Sequence, residues 1–387
     1  MNKVFDHFRK TLPWLFGLAV FLFFGLVYPH HLHYHEQFQL FLTTGDYFMD
    51  LAVKPGGIAD YLGAFITQFF LFSWAGAAML SVLLMLLQRL IFSVGNHVYP
   101  FRSWFALSFI PPIFYWILLC NENFMPAGII SVLITLGAWK IYFNLKTLPA
   151  RYVYVMAMIP VIYWMAGGSV IFFALGCLAV EWIREHSLKK KLIVTLPSLV
   201  ILAGIFFLAK ALLPQYPFFR LVYGTDFFRF PVLYPSGVWV MWIMCLIIPF
   251  SGFLLPSRFR KEKNASLAGI LLSLGIFCLG SYMVAVNTEI SKEDIMAYDH
   301  YVRMQQWEKA IAKADRKTPS SPLSVACLNL SLCKSGMMSD NMFHYYQNGP
   351  EGLIPTFVRD FTIPMISGEV YYHLGFINTA QRFAFEA

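Results

Sequence analysis

Three carboxylates stand inside the polar stretch that follows the first apolar run of this chain, ahead of the Asp60 that closes it. They are Glu36, Asp46 and Asp50, within HHLHYHEQFQLFLTTGDYFMDLAVKPGGIAD at 30–60. Charges beside apolar segments are costly to keep, so such groups mark a place to look for chemistry: they could hold a divalent cation or serve as a general base. A second polar stretch, Asn121-Glu122-Asn123-Phe124, adds another carboxylate, and a third, 214–235, sets Arg220, Tyr223, Asp226 and Arg229 among aromatic residues. Arginine forks suit a phosphate, and the aromatics could face sugar rings or lipid. His30, His31, His33 and His35 raise a zinc site, because 31, 33 and 35 share a face if the segment is extended. No spaced cysteine or carboxylate completes a tetrahedral set, so no metal is assigned, and a divalent cation on the carboxylates is the one cofactor considered.

Each of these residues also has a plain structural use. Gly45-Asp46 can begin a helix that the aspartate caps. Arg220 and Arg229 can anchor at a membrane interface, Lys210 and Glu181 can snorkel from the ends of apolar runs, and Gly56-Gly57 can form a tight turn. Cys120, Cys177, Cys245 and Cys278 lie in or beside apolar runs, and Cys327 and Cys333 lack metal-ligand spacing, so the cysteines read as small apolar residues.

The elements that must position these groups are membrane helices. With 58% hydrophobic and 13% charged residues, most of the chain is too apolar for a soluble domain. Nine runs of spanning character occur, at 12–29, 68–92, 104–120, 126–145, 152–166, 168–183, 192–213, 236–255 and 265–286. The two short runs joined at Ala166-Gly167-Gly168 suit either a tight outer turn or a re-entrant hairpin. Basic residues cluster in alternate loops: Lys3, Arg9 and Lys10; Arg89 and Arg102; Lys140, Lys146 and Arg151; Arg184 and Lys189 to Lys191; Arg258, Arg260, Lys261 and Lys263. The intervening loops hold Lys54, Arg220 and Arg229. This asymmetry predicts a cytoplasmic N-terminus and an extracytoplasmic loop 30–60. With no small-residue cleavage site after Val27-Tyr28-Pro29, the first run reads as an uncleaved signal anchor. The net charge of +8 follows from that clustering and does not point to nucleic acid.

Two domains are expected: 1–287, a multi-pass domain carrying the outer loop, and 288–387, a helical extracytoplasmic domain. Residues 298–315 and 369–387 each pair helices around a turn and resemble tetratricopeptide repeats. The chain stops inside the last helix, so a longer chain or a partner is expected to cover that end. The fold class is all-α.

The order of features also resembles the C-type glycosyltransferases that use polyprenyl-phosphate sugars. The resemblance rests on Glu36, Thr44-Gly45-Asp46-Tyr47, Lys54-Pro55, the amphipathic run Tyr61-Leu62-Gly63-Ala64-Phe65, and Glu122 in the loop where that family places a second acid. His35-Glu36 stands where the family has Asp-Glu or Asp-x-Asp. The resemblance implies that Glu36 or Asp46 activates an acceptor or binds a metal, and that Glu122 assists. It also implies that Arg220 or Arg229 holds the lipid phosphate, with His35 and Tyr223 beside the substrate. The whole sequence is similar, too, to an uncharacterised family of bacterial polytopic membrane proteins. Two functions are therefore expected in competition: sugar transfer at the outer face of a bacterial inner membrane, and a non-enzymatic anchor whose helical repeats bind a protein partner in an envelope complex. A transporter is disfavoured by the scarcity of ionisable residues at mid-depth.

Overall fold

A computed structural model describes residues 2–37, 39–98, 104–185, 187–230, 236–250, 262–356 and 363–386. The chain divides into two compact units, one of Met1–Val27 with His35–Thr288, the other of Tyr28–Tyr34 with Glu289–Ala387. The described residues are helical throughout, apart from turns and an isolated bridge between Phe124 and Phe228.

The first unit contains α1 (Asn2–Leu22, continued by a π-helical turn Phe23–Val27), α3 (Gly45–Ala52), α4 (Gly57–Thr67) and α5 (Ser73–Val98), with α2 (Pro29–Glu36) mostly in the second unit. Next come α6 (Trp104–Leu107), α7 (Ile110–Leu119), α8 (Ala127–Asn144), α9 (Leu148–Ala166), α10 (Val170–Arg184) and α11 (Leu188–Leu212). α12 (Phe218–Tyr223), α13 (Ser236–Phe250) and α14 (Glu262–Asn287) complete it.

Among the described residues, six stretches are long and apolar enough to cross a membrane: Phe5–Val27, Ser73–His97, Ala127–Asn144, Leu148–Arg184, Leu188–Leu212 and Leu267–Asn287. This is a multi-pass membrane protein. Leu148–Arg184 spans 37 residues, which as one rod would reach about 55 Å at ~1.5 Å per residue. Arg151 Nε nevertheless lies 2.6 Å from Glu181 Oε1, so α9 and α10 form a hairpin. Its turn is the 3₁₀ segment Gly167–Ser169.

Side-chain contacts give the direction of every pass. α5 runs against α1, with Arg9 over Phe92, Arg89 over Trp14, and Phe21 against Trp74. α6 and α7 run with α1, since Phe5, Phe16 and Phe23 meet Phe105, Phe109 and Trp116 in turn. α8 turns back, its Gly128 carbonyl accepting from the Tyr115 hydroxyl of α7. Tyr154 donates to Ala138 O and so sets α9 against α8, while Trp139 and Tyr142 of α8 meet Phe173 and Glu181 of α10 in parallel. Tyr163 and Trp182 place α11 beside α9 and α10 through Phe206 and Thr195. α13 starts where α7 ends, Gly237 facing Leu118. α14 runs with α7, as Phe277, Gly280 and Thr288 meet Phe109, Ile113 and Cys120. Among the described residues, nine apolar helical segments thus alternate in direction, three of them (α6–α7, α10 and α13) short. The loops after α1, α7, α9 and α11 all gather at one end of this unit.

The second unit contains α15 (Ile290–Arg303), α16 (Trp307–Arg316), α17 (Pro322–Lys334), α18 (Met338–Asn341), α19 (Ile363–His373) and α20 (Ile377–Glu386). α15, α17 and α19 end on the same turn. At the first, Met304, Gln305 and Gln306 donate to His300, Val302 and Tyr301 carbonyls; Ser335 to Met337 and Leu374 to Phe376 repeat the pattern on Ser331, Cys333 and Leu332, and on Val370, Tyr372 and Tyr371. A left-handed residue sits at the same place in each, Gln305 (φ 54°), Gly336 (φ 71°) and Gly375 (φ 84°). This is the glycine-favouring helix stop that closes the last carbonyls and reverses the chain. The core is apolar and small, with Ala297, Ala310, Ala314 and Ala326 letting helices approach.

Two expectations are corrected. The histidine stretch is the helix α2, not extended, so His30 pairs with His33 at one helical turn, and the 31, 33, 35 face does not exist. Glu181 does not snorkel: it is fully buried and ion-paired to Arg151, because α8, α9 and α10 close over it.

Candidate functional site

The junction of loops at the gathered end is built on backbone rather than side chains. Gly56, Gly167 and Gly224 have φ of 78°, 62° and 69°. A Cβ on Gly56 or Gly167 would lie 2.6 Å from Thr225 N, and one on Gly224 would lie 2.6 Å from Gly167 Cα, so only glycine fits at this crossing. Gly56 N donates to Trp164 O at 2.9 Å, Trp164 Nε1 to Ala52 O at 2.8 Å, and the Tyr163 hydroxyl to Leu221 O at 2.9 Å. The end of α9 therefore holds the loop after α3 and the loop around α12 against each other.

That crossing assembles four charges. Lys54 Nζ lies 2.8 Å from Asp60 Oδ2 and bonds Asp226 Oδ2 as well. Asp226 N donates to Asp60 Oδ1 at 2.9 Å, and Arg220 Nη2 stands 3.4 Å from Asp226 Oδ1. Lys54 and Asp60 are nearly buried, with side chains 13% and 6% exposed, whereas Arg220 and Asp226 are 33% and 35% exposed. Burial, and then the neighbouring Asp226, raise the Asp60 carboxyl above its usual range, against the pull of Lys54. Burial opposes the charge on Lys54, but Asp60 and Asp226 outweigh it and hold the ammonium above the ordinary lysine value. Two acids and two bases leave the cluster neutral, closed at the Lys54 end and open at Arg220.

The residues singled out from sequence are placed as follows. Arg220 joins the cluster and also lies over Tyr216. Tyr223 accepts from Trp239 Nε1 and packs against Phe227 and Trp242. Arg229 donates its backbone N–H to Asn123 O at 2.8 Å and stacks on Phe230, while Met125 N reaches Phe227 O at 2.9 Å. Glu122, buried, therefore belongs to a loop stitched to the Arg229 loop. Asp46 is exposed in the first turn of α3, whose cap is Thr44 Oγ1 accepting from Tyr47 N. Asp50 is exposed on the same helix. Glu36 ends α2 half-buried, and His35 is buried beside Phe70.

Lys54 and Asp60 carry the cluster, although neither is a candidate site residue by sequence. Their signal was present in the sequence as the one lysine of an acid-bearing loop and an acid just inside an apolar helix. At the opposite end of the passes, Glu181 takes Arg151 and the Tyr142 hydroxyl, and Arg151 Nη2 reaches Glu185 at 2.7 Å.

The second unit holds a different group. His30 Nδ1 and His33 Nδ1 are 3.4 Å apart, and the His33 and His300 rings stack at 3.9 Å. Burial, then the neighbouring imidazoles, push His30 down to about 3, and burial followed by His300 pushes His33 down to about 4. Burial also lowers His300. Glu293 accepts the backbone N–H groups of His30 and His31 at 2.7 and 2.8 Å, fastening the first turn of α2 to α15.

No curated protein and no solved structure matches the chain. The sequence profile of a family described as "Family of unknown function (DUF6057)" matches residues 6–387, and the chain belongs to that family.

Proposed function

We propose that this is a membrane-anchored helical-repeat protein whose second unit binds a protein partner on the extracytoplasmic face of a bacterial inner membrane. The observation that carries the reading is the threefold recurrence of one helix-reversing turn, at Gln305, Gly336 and Gly375. Repeated helical hairpins of the tetratricopeptide kind stack side by side and present an extended face to a partner. Phe343, Tyr346, Tyr372 and Phe376 are large and exposed on this unit, as partner surfaces are. In the first unit, the charges of the Lys54 cluster and the Arg151 pair bond to one another, which suits an anchor. The side of the membrane follows from the basic residues, which favour the cytoplasm, set against the loops gathered at the other end.

A photo-reactive residue at Phe343 or Tyr372 of the full chain, irradiated in native membranes, is expected to give discrete protein adducts. The same residue at Phe207, exposed on the apolar α11, should capture lipid. Absence of protein adducts from both positions in the second unit removes the reading.

A second reading is sugar transfer from a polyprenyl-phosphate donor, supported by the stitching of the Glu122 loop to the loop of Arg220, Tyr223, Asp226 and Arg229. Glu36 or Asp46 would then be the base, a divalent cation an option at the carboxylates, and Arg220 or Arg229 the phosphate ligand. Transfer in membranes should fall about 100-fold or more in one of Glu36→Gln, Asp46→Asn and Glu122→Gln, the range typical of a lost acid–base group. Undiminished transfer in all three sinks it.

A further inference from the structure

We propose that His30, His33 and His300 form a three-imidazole site for a divalent late first-row transition ion, with zinc the first candidate. One ligand nitrogen from each lies within 4.8 Å of the other two. His30 and His33 come from one face of α2 at i and i+3, and His300 comes from α15, so the site joins segments far apart in sequence. Zinc–nitrogen bonds of about 2.0–2.1 Å in a tetrahedron set ligand nitrogens roughly 3.4 Å apart. The His30 and His33 Nδ1 atoms already stand at 3.4 Å. The third corner is the His300 ring, stacked on His33 and with a nitrogen within 4.8 Å of the other two.

The backbone is set before any ion arrives. Glu293 grips the N–H groups of His30 and His31, so the two ligands on α2 cannot slide relative to α15. That spends the carboxylate of Glu293 on the backbone. Asp294 is spent on Lys313, at 2.8 Å, and on Lys317. Asp299, next to His300, is spent on Arg303 at 3.3 Å. With these acids engaged, the donor set is imidazole alone. Imidazole selects zinc, copper and nickel, while magnesium and calcium need oxygen. All three rings are half-buried, which leaves an entry path and a fourth coordination position for water or another donor. The inference is independent of partner binding, because it concerns only what holds α2 and α15 together.

The test uses the full chain in detergent micelles, stripped with a chelator, then titrated with Zn²⁺ by calorimetry and loaded with Cu²⁺ for electron paramagnetic resonance. One ion per chain with micromolar or tighter affinity is expected, with nitrogen superhyperfine structure in the copper spectrum. His300→Asn and His33→Asn should each weaken Zn²⁺ binding by at least about 100-fold, since even outer-shell partners of a metal are worth about 10–100-fold. His344→Asn, on an exposed histidine that hydrogen-bonds Asn341, should leave it unchanged. Absence of micromolar binding, equal affinity in His300→Asn and His344→Asn, or an oxygen-only copper spectrum in the unsubstituted chain would each overturn the proposal. The copper spectrum needs no variant, so a folding defect in His300→Asn does not blunt the test.

Discussion

Lys54→Met lowers the stability of the membrane unit by about 3–5 kcal/mol, the cost of stranding a buried charge by removing its partner. Asp60 is the stranded group: its side chain is only 6% exposed, and without the ammonium it keeps a single backbone donor, Asp226 N. Asp226 suffers less, because it is half-exposed and retains Arg220. Most of the loss should return in Lys54→Met/Asp60→Leu, where no buried carboxylate is left. Lys54→Arg should fall between, since the guanidinium keeps the charge but is a wider, planar group than the ammonium it replaces in a nearly buried place. Thermal unfolding of the detergent-solubilised full chain reads all three. Equal melting of the single and double variants would show that Lys54 acts through packing rather than charge.

Arg151→Met has an effect of the same size, about 3–5 kcal/mol, at the other end of the passes. Glu181 is fully buried there, and losing Arg151 leaves it only the Tyr142 hydroxyl. The reverse change is milder. Glu181→Gln removes the charge, its amide oxygen still accepts from Tyr142, and Arg151 keeps Glu185 at 2.7 Å. The expected order of melting temperatures is therefore wild type, then Glu181→Gln, then Arg151→Met. An Arg151→Met protein as stable as Glu181→Gln would mean that water reaches Glu181.

The two clasps have a common logic. Each ties together the ends of helices whose flanks are apolar and slide easily past one another, because lipid is as apolar as the helix faces and burial alone gives little registry. A charged contact at each end fixes the register. The anchor reading follows from this pairing, and the partner reading from the repeated turn.

Much of the membrane unit was legible in the chain because hydrophobic length and loop charge are local quantities. Each apolar run carries its own signal, and each short loop its own lysines and arginines, so nine alternating segments and the change of character near Asn287 could be read without contacts. The turns at Gln305 and Gly375 were readable in the same way, since a helix stop depends on a few adjacent residues. The histidine face at 31, 33 and 35 exists only if the segment is extended, and Pro29 starts a helix there instead.

Which polar groups meet is a different kind of information. Lys54 and Asp226 are separated by 172 positions, and His30 and Glu293 by 263; no window of sequence contains both members of either pair. Their meeting depends on glycines at 56, 167 and 224 that allow three loops to touch backbone to backbone, and on the path of α2 into the second unit. Residue type and spacing thus specified the helices, their number and the charge of their loops, because those follow from local hydrophobicity and period. The assembly of Lys54 with Asp60, Asp226 and Arg220, and of His30 with His33 and His300, came from packing alone, because it joins distant segments through close approach.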